Sequence, residues 1–269
     1  MSLSQLFGLA IVQGLTEFLP VSSSGHLILF SFVTGFKDQG MLTDIALHIG
    51  SLLAVLIYFR KEVSGILAGL WQARFVPSSR VEGARLGYMV LVACLPALVC
   101  GFLLRNFGMD FLRNPKIIGW TILLYGLLLG AADKLGQKEK KLQDIGLKYA
   151  LYIGLAQCLA LIPGTSRSGI TITMARFLGL SRVESAKFSM LLALPTIAAA
   201  GGLEAFRIYR NGDISLLASS SDAVLYSFAA SFLVIYLMMA WLKKWSYLPF
   251  VVYRVILGTC VLLFAYGFL

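Results

Sequence analysis

Charge is the scarcest thing in this sequence. Of its 269 residues only 13% are Asp, Glu, Lys or Arg, against roughly 25% in an ordinary soluble domain. Hydrophobic residues make up 58% and the mean hydropathy is +0.83. So few charges cannot coat a water-facing surface. A soluble protein with a large core is therefore set aside, and the chain is read as an all-α polytopic membrane protein in a lipid bilayer. Acids are scarcer than bases, 13 against 23, for a net charge of +10. In a soluble chain that balance would suggest nucleic acid. In a membrane protein the excess belongs to cytoplasmic loops, so no nucleic-acid partner is expected.

Cysteine is also sparse. Cys94, Cys100, Cys158 and Cys260 each lie in an apolar run and none forms a CxxC pair, which argues against a disulfide framework or a thiolate metal site. The N-terminus lacks a basic stretch and a small-residue cleavage site, so no removed signal peptide is expected.

What the sequence has is apolar runs, some of them broken. Residues 2–36 are interrupted by Gln13, Glu17, Pro20 and a serine–glycine turn, leaving two arms too short for the ~20 residues of a full span. They read as a re-entrant helical hairpin; the alternative is one span followed by an interfacial helix. Uninterrupted spans are expected over about 42–59, 86–104 and 117–132. Between the first two lies a polar connection, Arg60 to Arg85, with a short amphipathic run around Trp71. After the charged stretch from Asp133 to Lys148, a second hairpin is expected over 149–178. Spans follow over about 188–203, 223–242 and 250–268, with a polar loop from 204 to 222. Pro96 and Pro195 fall inside spans, where proline can kink a helix.

The two hairpins answer one another. At a constant offset of 144, Gln13, Leu15, Ser22, Ser24 and Gly25 meet Gln157, Leu159, Ser166, Ser168 and Gly169. Repeat 1 is 1–133 and repeat 2 is 134–269, each a hairpin plus three spans, six full spans in all. Three spans is an odd number, so the second repeat must enter from the opposite side, giving two inverted-topology repeats. The loops then sort by charge. Those containing Arg60, Lys61, Lys140, Lys141, Lys243 and Lys244 carry fourteen basic residues in total and the opposite side carries six. The first side is expected to be cytoplasmic, with both termini outside.

Each tip carries polar residues at membrane depth. Glu17 and Gln13, four apart, share a helical face, and a carboxylate there must be paired or wetted. Ser22, Ser23 and Ser24 precede the helix carrying His26; Thr165 and Ser166 precede Arg167-Ser168-Gly169. Serine caps helix N-termini, whose free N–H groups favour anions. If the tips meet, two such termini and the five donors of Arg167 converge on a space suited to phosphate. Gln13, Ser22, Ser24, Thr165, Ser166, Ser168 and Gly169 would bind it. Ser23 is the candidate nucleophile. Glu17 or His26 would take its proton and the other would assist the leaving phosphate, while Arg167 stabilises the transition state. Alternatively Glu17 helps hold a divalent cation that activates water. Asp44 and His48, four apart on the first span, either line the same cavity or mark a wet helix end. Arg176, Lys187 and Arg254 read as interface or pairing residues.

The stretches Gln13-Gly14-Leu15-Thr16-Glu17-Phe18-Leu19-Pro20-Val21-Ser22-Ser23-Ser24-Gly25-His26 and Pro163-Gly164-Thr165-Ser166-Arg167-Ser168-Gly169 resemble those of the bacterial undecaprenyl-diphosphate phosphatases of the BacA/UppP type. The length and span pattern extend that resemblance over nearly the whole chain. It implies removal of the terminal phosphate from a polyprenyl diphosphate lipid, undecaprenyl diphosphate. That regenerates the carrier for peptidoglycan and other envelope polymers. It also implies a divalent cation, Mg2+ or Ca2+, and a site in the bacterial cytoplasmic (inner) membrane open to the outer leaflet, with bacitracin resistance on overproduction. The functional positions it carries over are Glu17, Ser23, His26, Ser166 and Arg167, with Gln13 where many members have Glu. Gln13 cannot ionise, so the acidic work falls to Glu17. A rival from another class remains, because opposed hairpins in inverted repeats are also a transport architecture: a transporter or flippase of a lipid phosphate or small anion. The oligomeric state is open, a homodimer included.

Overall fold

The computed structural model describes residues 3–35, 41–74, 81–104, 112, 114–136, 139–211 and 221–268. Among them run eleven α-helices: α1 Leu3–Thr16, α2 Ser23–Thr34, α3 Met41–Tyr58, α4 Arg60–Gln72, α5 Glu82–Leu104, α6 Pro115–Leu135, α7 Leu147–Gln157, α8 Arg167–Phe177, α9 Arg182–Asn211, α10 Ser221–Leu242 and α11 Leu248–Ala265. Short 3-10 turns cover Leu142–Asp144 and Cys158–Leu161. The one strand-like feature described is an isolated bridge between Lys140 and Leu180.

Polar interruptions set the helix lengths. α1 and α2 have 14 and 12 residues, α7 and α8 have 11 each. At 1.5 Å per residue these arms reach only about 16–21 Å, short of the ~30 Å hydrocarbon core. Five helical stretches are long and apolar enough to cross: Gly83–Leu104, Pro115–Leu135, Arg182–Gly202, Ser221–Leu242 and Leu248–Ala265. α3 and α4 would supply a sixth, but the chain bends by 81° between them. α4 opens on Arg60-Lys61-Glu62 and leaves Trp71 76% exposed, so the amphipathic run expected in the polar connection is a helix of its own. Residues 75–80 of that connection lie outside the described residues.

Several bounds differ from expectation: the second span begins at Gly83 rather than 86, the fourth at Arg182 rather than 188, and the sixth ends at Ala265 rather than 268. The third runs Pro115–Leu135 rather than 117–132: the Asn114 side chain caps it by accepting from the Lys116 N–H at 2.9 Å, with Pro115 in its first turn. The fourth ends near 203 as an apolar stretch, at Gly202, but its helix does not. α9 continues to Asn211, because polarity at Glu204 and Arg207 ends a bilayer-compatible stretch but not a helix. The remainder of the expected 204–222 loop, 212–220, lies outside the described residues. α5 and α9 run unbroken past Pro96 and Pro195.

The two halves share one core, in which Phe18, Val55 and Met89 pack with Ile153, Ile172 and Phe188. Outside it, large apolar residues such as Phe102, Leu225, Ile256 and Phe264 are exposed, the covering a bilayer provides. Small residues bring each hairpin against a span of the other half. α1 meets α10 at Gly14, where a Cβ would stand 2.4 Å from the Ala230 Cβ, and α7 meets α5 at Gly154, where it would stand 2.4 Å from the Ala93 carbonyl oxygen. Asp133, at the end of α6, ties the halves together. It lies 3.3 Å from Arg176 and 2.8 Å from Arg182 and accepts from the Tyr247 N–H at 3.1 Å. Lys187 of α9 pairs with Glu62 of α4 at 2.9 Å.

Candidate active site

The two tips are built alike. Ser22 and Ser166 both sit at positive φ, 79° and 72°, and Arg74 is the only other described non-glycine residue there. Such a conformation is costly. Each serine recovers part of that cost as a cap: Ser22 Oγ accepts from the Gly25 N–H at 3.3 Å and Ser166 Oγ from the Gly169 N–H at 3.0 Å. Each also lies near the next serine but one, Ser24 at 3.4 Å and Ser168 at 3.2 Å. The helices that begin here, α2 and α8, therefore start from equivalent turns.

The tips touch. Ser168 Oγ donates to the Leu19 carbonyl at 2.9 Å. Arg254 of α11, fully buried, donates to five carbonyls: Pro20 of the first tip, Gly164 and Thr165 of the second, and Thr121 and Ile122 of α6, all at 3.0–3.2 Å. A guanidinium thus pairs with carbonyls that the two turns leave without a backbone partner. Sequence reasoning put Arg254 among interface or pairing residues; it is the clamp between the tips. Arg176 and Lys187, read the same way, form ion pairs with Asp133 and Glu62.

Where the tips meet, Glu17 becomes a junction. Its Oε1 accepts from Arg167 at 2.9 Å. Its Oε2 accepts from the Ser23 hydroxyl at 2.7 Å and from Gln13 Nε2 at 2.9 Å. His48 Nε2 of α3 stands 3.8 Å from the same oxygen. Residues 150 apart in sequence, Glu17 and Arg167, are therefore in direct contact, with Glu17 only 7% exposed. Arg167 is steadied by the Ser189 carbonyl at 3.3 Å. A serine hydroxyl at hydrogen-bond distance from a carboxylate, beside a guanidinium, is the geometry of an activated nucleophile facing an anion site.

His26 is not part of that junction. Its Nδ1 donates to the Ser22 carbonyl at 2.6 Å, which leaves Nε2 to accept from the Tyr253 hydroxyl, also at 2.6 Å. The two rings stack 5.6 Å apart at 11°. Ser166, Ser168 and Gly169 use their polar groups to build the tip, Ser24 is exposed, and Thr165 is buried with its hydroxyl unpartnered. Tyr253 was missed by sequence reasoning, and a tyrosine near the start of an apolar span carries no signal for it. His48 was read together with Asp44. Its Nδ1 donates to the Asp44 carbonyl at 2.7 Å, and Nε2 is thereby turned toward Glu17.

The donor set for a resident cation is thin. Both Glu17 oxygens are engaged, Gln13 is neutral, and among the described residues no group of three or more His, Cys, Asp and Glu side chains is placed to hold a metal. The residues present do not make a site that holds a divalent cation unaided.

Fold and junction together define a polytopic helical membrane protein with a part-buried serine–carboxylate–guanidinium centre fit for phosphoryl transfer. The model of the family described as bacitracin resistance protein BacA matches residues 6–260, and the chain belongs to that family. It is similar to the undecaprenyl-diphosphatase of Dinoroseobacter shibae, 46% identical over 270 residues covering 99% of this chain and 100% of that one. It is also similar to that of Chromohalobacter salexigens, 48% identical over 254 residues covering 94% and 96%. The undecaprenyl-diphosphatase of Alteromonas mediterranea is 42% identical over 267 residues, covering 99% and 100%.

Proposed function

We propose that this chain is a membrane phosphatase that hydrolyses undecaprenyl diphosphate to undecaprenyl phosphate and inorganic phosphate. The observation that carries the reading is the junction itself: the Ser23 hydroxyl and the Arg167 guanidinium on opposite oxygens of one buried carboxylate. An incoming diphosphate competes for Arg167 and frees one oxygen of Glu17. Ser23 Oγ bonds to the terminal phosphorus as the bridging P–O bond breaks. The electron pair leaves with undecaprenyl phosphate and the hydroxyl proton passes to Glu17. Water then attacks the phosphoserine. The Oγ–P bond breaks, Glu17 returns its proton to Ser23, and the proton from water leaves on inorganic phosphate. The 2.7 Å contact favours Glu17 over His26 as the base; His26 is left to the leaving-phosphate side.

The architecture in this reading is two inverted repeats with re-entrant hairpins in the bacterial inner membrane. The matched tips support it, as does the exchange by which α1 packs on α10 while α7 packs on α5. Both termini lie outside and the site opens to the outer leaflet. The test is release of phosphate from a polyprenyl diphosphate by the purified chain in detergent. Glu17→Ala and Arg167→Ala should abolish it. Ser23→Ala should fall to background; activity within about tenfold of wild type, less than covalent catalysis contributes, would make water the attacking group instead.

A further inference from the structure

We infer that the divalent cation of this reaction has no binding place on the protein alone and enters only as a complex with the substrate's diphosphate. The inference rests on the phosphatase reading above. Among the described residues the Glu17 junction holds a single carboxylate, and Arg167 at 2.9 Å already neutralises it. A dication on Glu17 would have to displace the Ser23 and Gln13 hydrogen bonds and sit within a few ångströms of a guanidinium, a like charge in a buried setting. Gln13 is where a second acid would be needed. It is fully buried, and since a carboxylate only accepts, Gln13 must present its Nε2 to Glu17. That turns Oε1 away, and this oxygen has no described partner. One neutral oxygen, one neutralised carboxylate and the His48 imidazole 3.8 Å from it are a poor match for a hard dication, which prefers oxygen, is held by carboxylates together with substrate phosphates and retains its waters. The diphosphate supplies what the chain lacks: several anionic oxygens, in a site whose Arg167 they also engage.

The experiment follows the free-ion EPR signal of Mn2+ titrated with the purified full-length chain in detergent, with hydrolysis measured on the same preparation. Wild-type protein with Mn2+ alone should leave the signal unchanged. Adding a non-hydrolysable prenyl methylenebisphosphonate should hold about one Mn2+ per chain at concentrations where the lipid alone leaves most of the ion free, as for a cation shared between protein and phosphates. Gln13→Glu should bind Mn2+ without the lipid at least about tenfold more tightly than wild type, because it adds a second carboxylate. Stoichiometric binding of Mn2+ by wild type without the lipid, lost in Glu17→Gln, overturns the inference even if hydrolysis is normal. A wild-type preparation that fails to hydrolyse any polyprenyl diphosphate overturns the phosphatase reading instead. The wild-type arm decides the matter whether or not Gln13→Glu folds.

Discussion

Arg167 uses one terminal nitrogen on Glu17 and the other on the Ser189 carbonyl. Lysine has no planar fork to span the two sites from two separate nitrogens while facing an anion. Arg167→Lys should therefore lower kcat by roughly 10²–10³-fold, the scale on which loss of one transition-state donor acts, while the protein stays folded by circular dichroism. Tyr253 acts one step removed. Tyr253→Phe preserves the stacked ring and deletes the hydroxyl that His26 Nε2 accepts from. It should lower kcat by about fivefold with KM unchanged, the effect of one hydrogen bond of ~1 kcal/mol. Equal rates in Tyr253→Phe and wild type would show that His26 needs no such support. Gln13 and Glu17 on one face, and Arg167 in the second tip, were legible because each violates the apolar pattern around it. The His26–Tyr253 pairing was not, since it joins residues 227 apart and neither breaks a local rule.

At the scale of elements, the hairpin arms were readable from where Pro20 and Pro163 end apolar runs, and the structure places helix ends within a few residues of them. The bend between α3 and α4 was not. The apolar run continues through Phe59 with no glycine or proline to mark it, and only the turn to Arg60-Lys61-Glu62 hints at a change of environment. What holds the elements in register is Arg254. Arg254→Lys keeps the charge but offers three donors for five carbonyls. Leaving at least two buried acceptors unmade should cost about 2–5 kcal/mol and lower the midpoint of thermal unfolding in detergent. The second tip has its own constraint. Gly164 lies at φ 88°, and an added Cβ would stand 2.2 Å from Thr121 Oγ1 and 2.8 Å from the Ile118 carbonyl oxygen. Gly164→Ala should destabilise by more than about 1 kcal/mol, since strain and overlap add. In the same thermal assay Ser22→Gly should be within about 1 kcal/mol of wild type: it relieves a positive φ but loses a cap.

For the molecule as a whole, the sidedness proposed from charge can be joined to the fold. α6 has 21 residues, about 31 Å of helix. At its start Lys116 lies over the Tyr266 ring, 4.5 Å away, and at its end Asp133 accepts from the Tyr247 N–H. The end of α11 and the α10–α11 connection therefore stand at opposite ends of α6. The Asp133 end is also where Arg176, Arg182 and the Lys140–Leu180 bridge gather, alongside Lys243 and Lys244. A retained excess of basic residues there supports the proposal that this end is cytoplasmic. In a version with Cys94, Cys100, Cys158 and Cys260 replaced by alanine and activity retained, Lys244→Cys should react with a membrane-impermeant maleimide only after the cells are opened. Tyr266→Cys should react in intact cells. Both positions are exposed, so a failure to label reflects the membrane rather than burial. Labelling in the reverse order would invert the proposed orientation and move the site's opening to the cytoplasmic leaflet. Labelling of both from outside would break the antiparallel arrangement of α6 and α11, on which the Arg254 clamp depends.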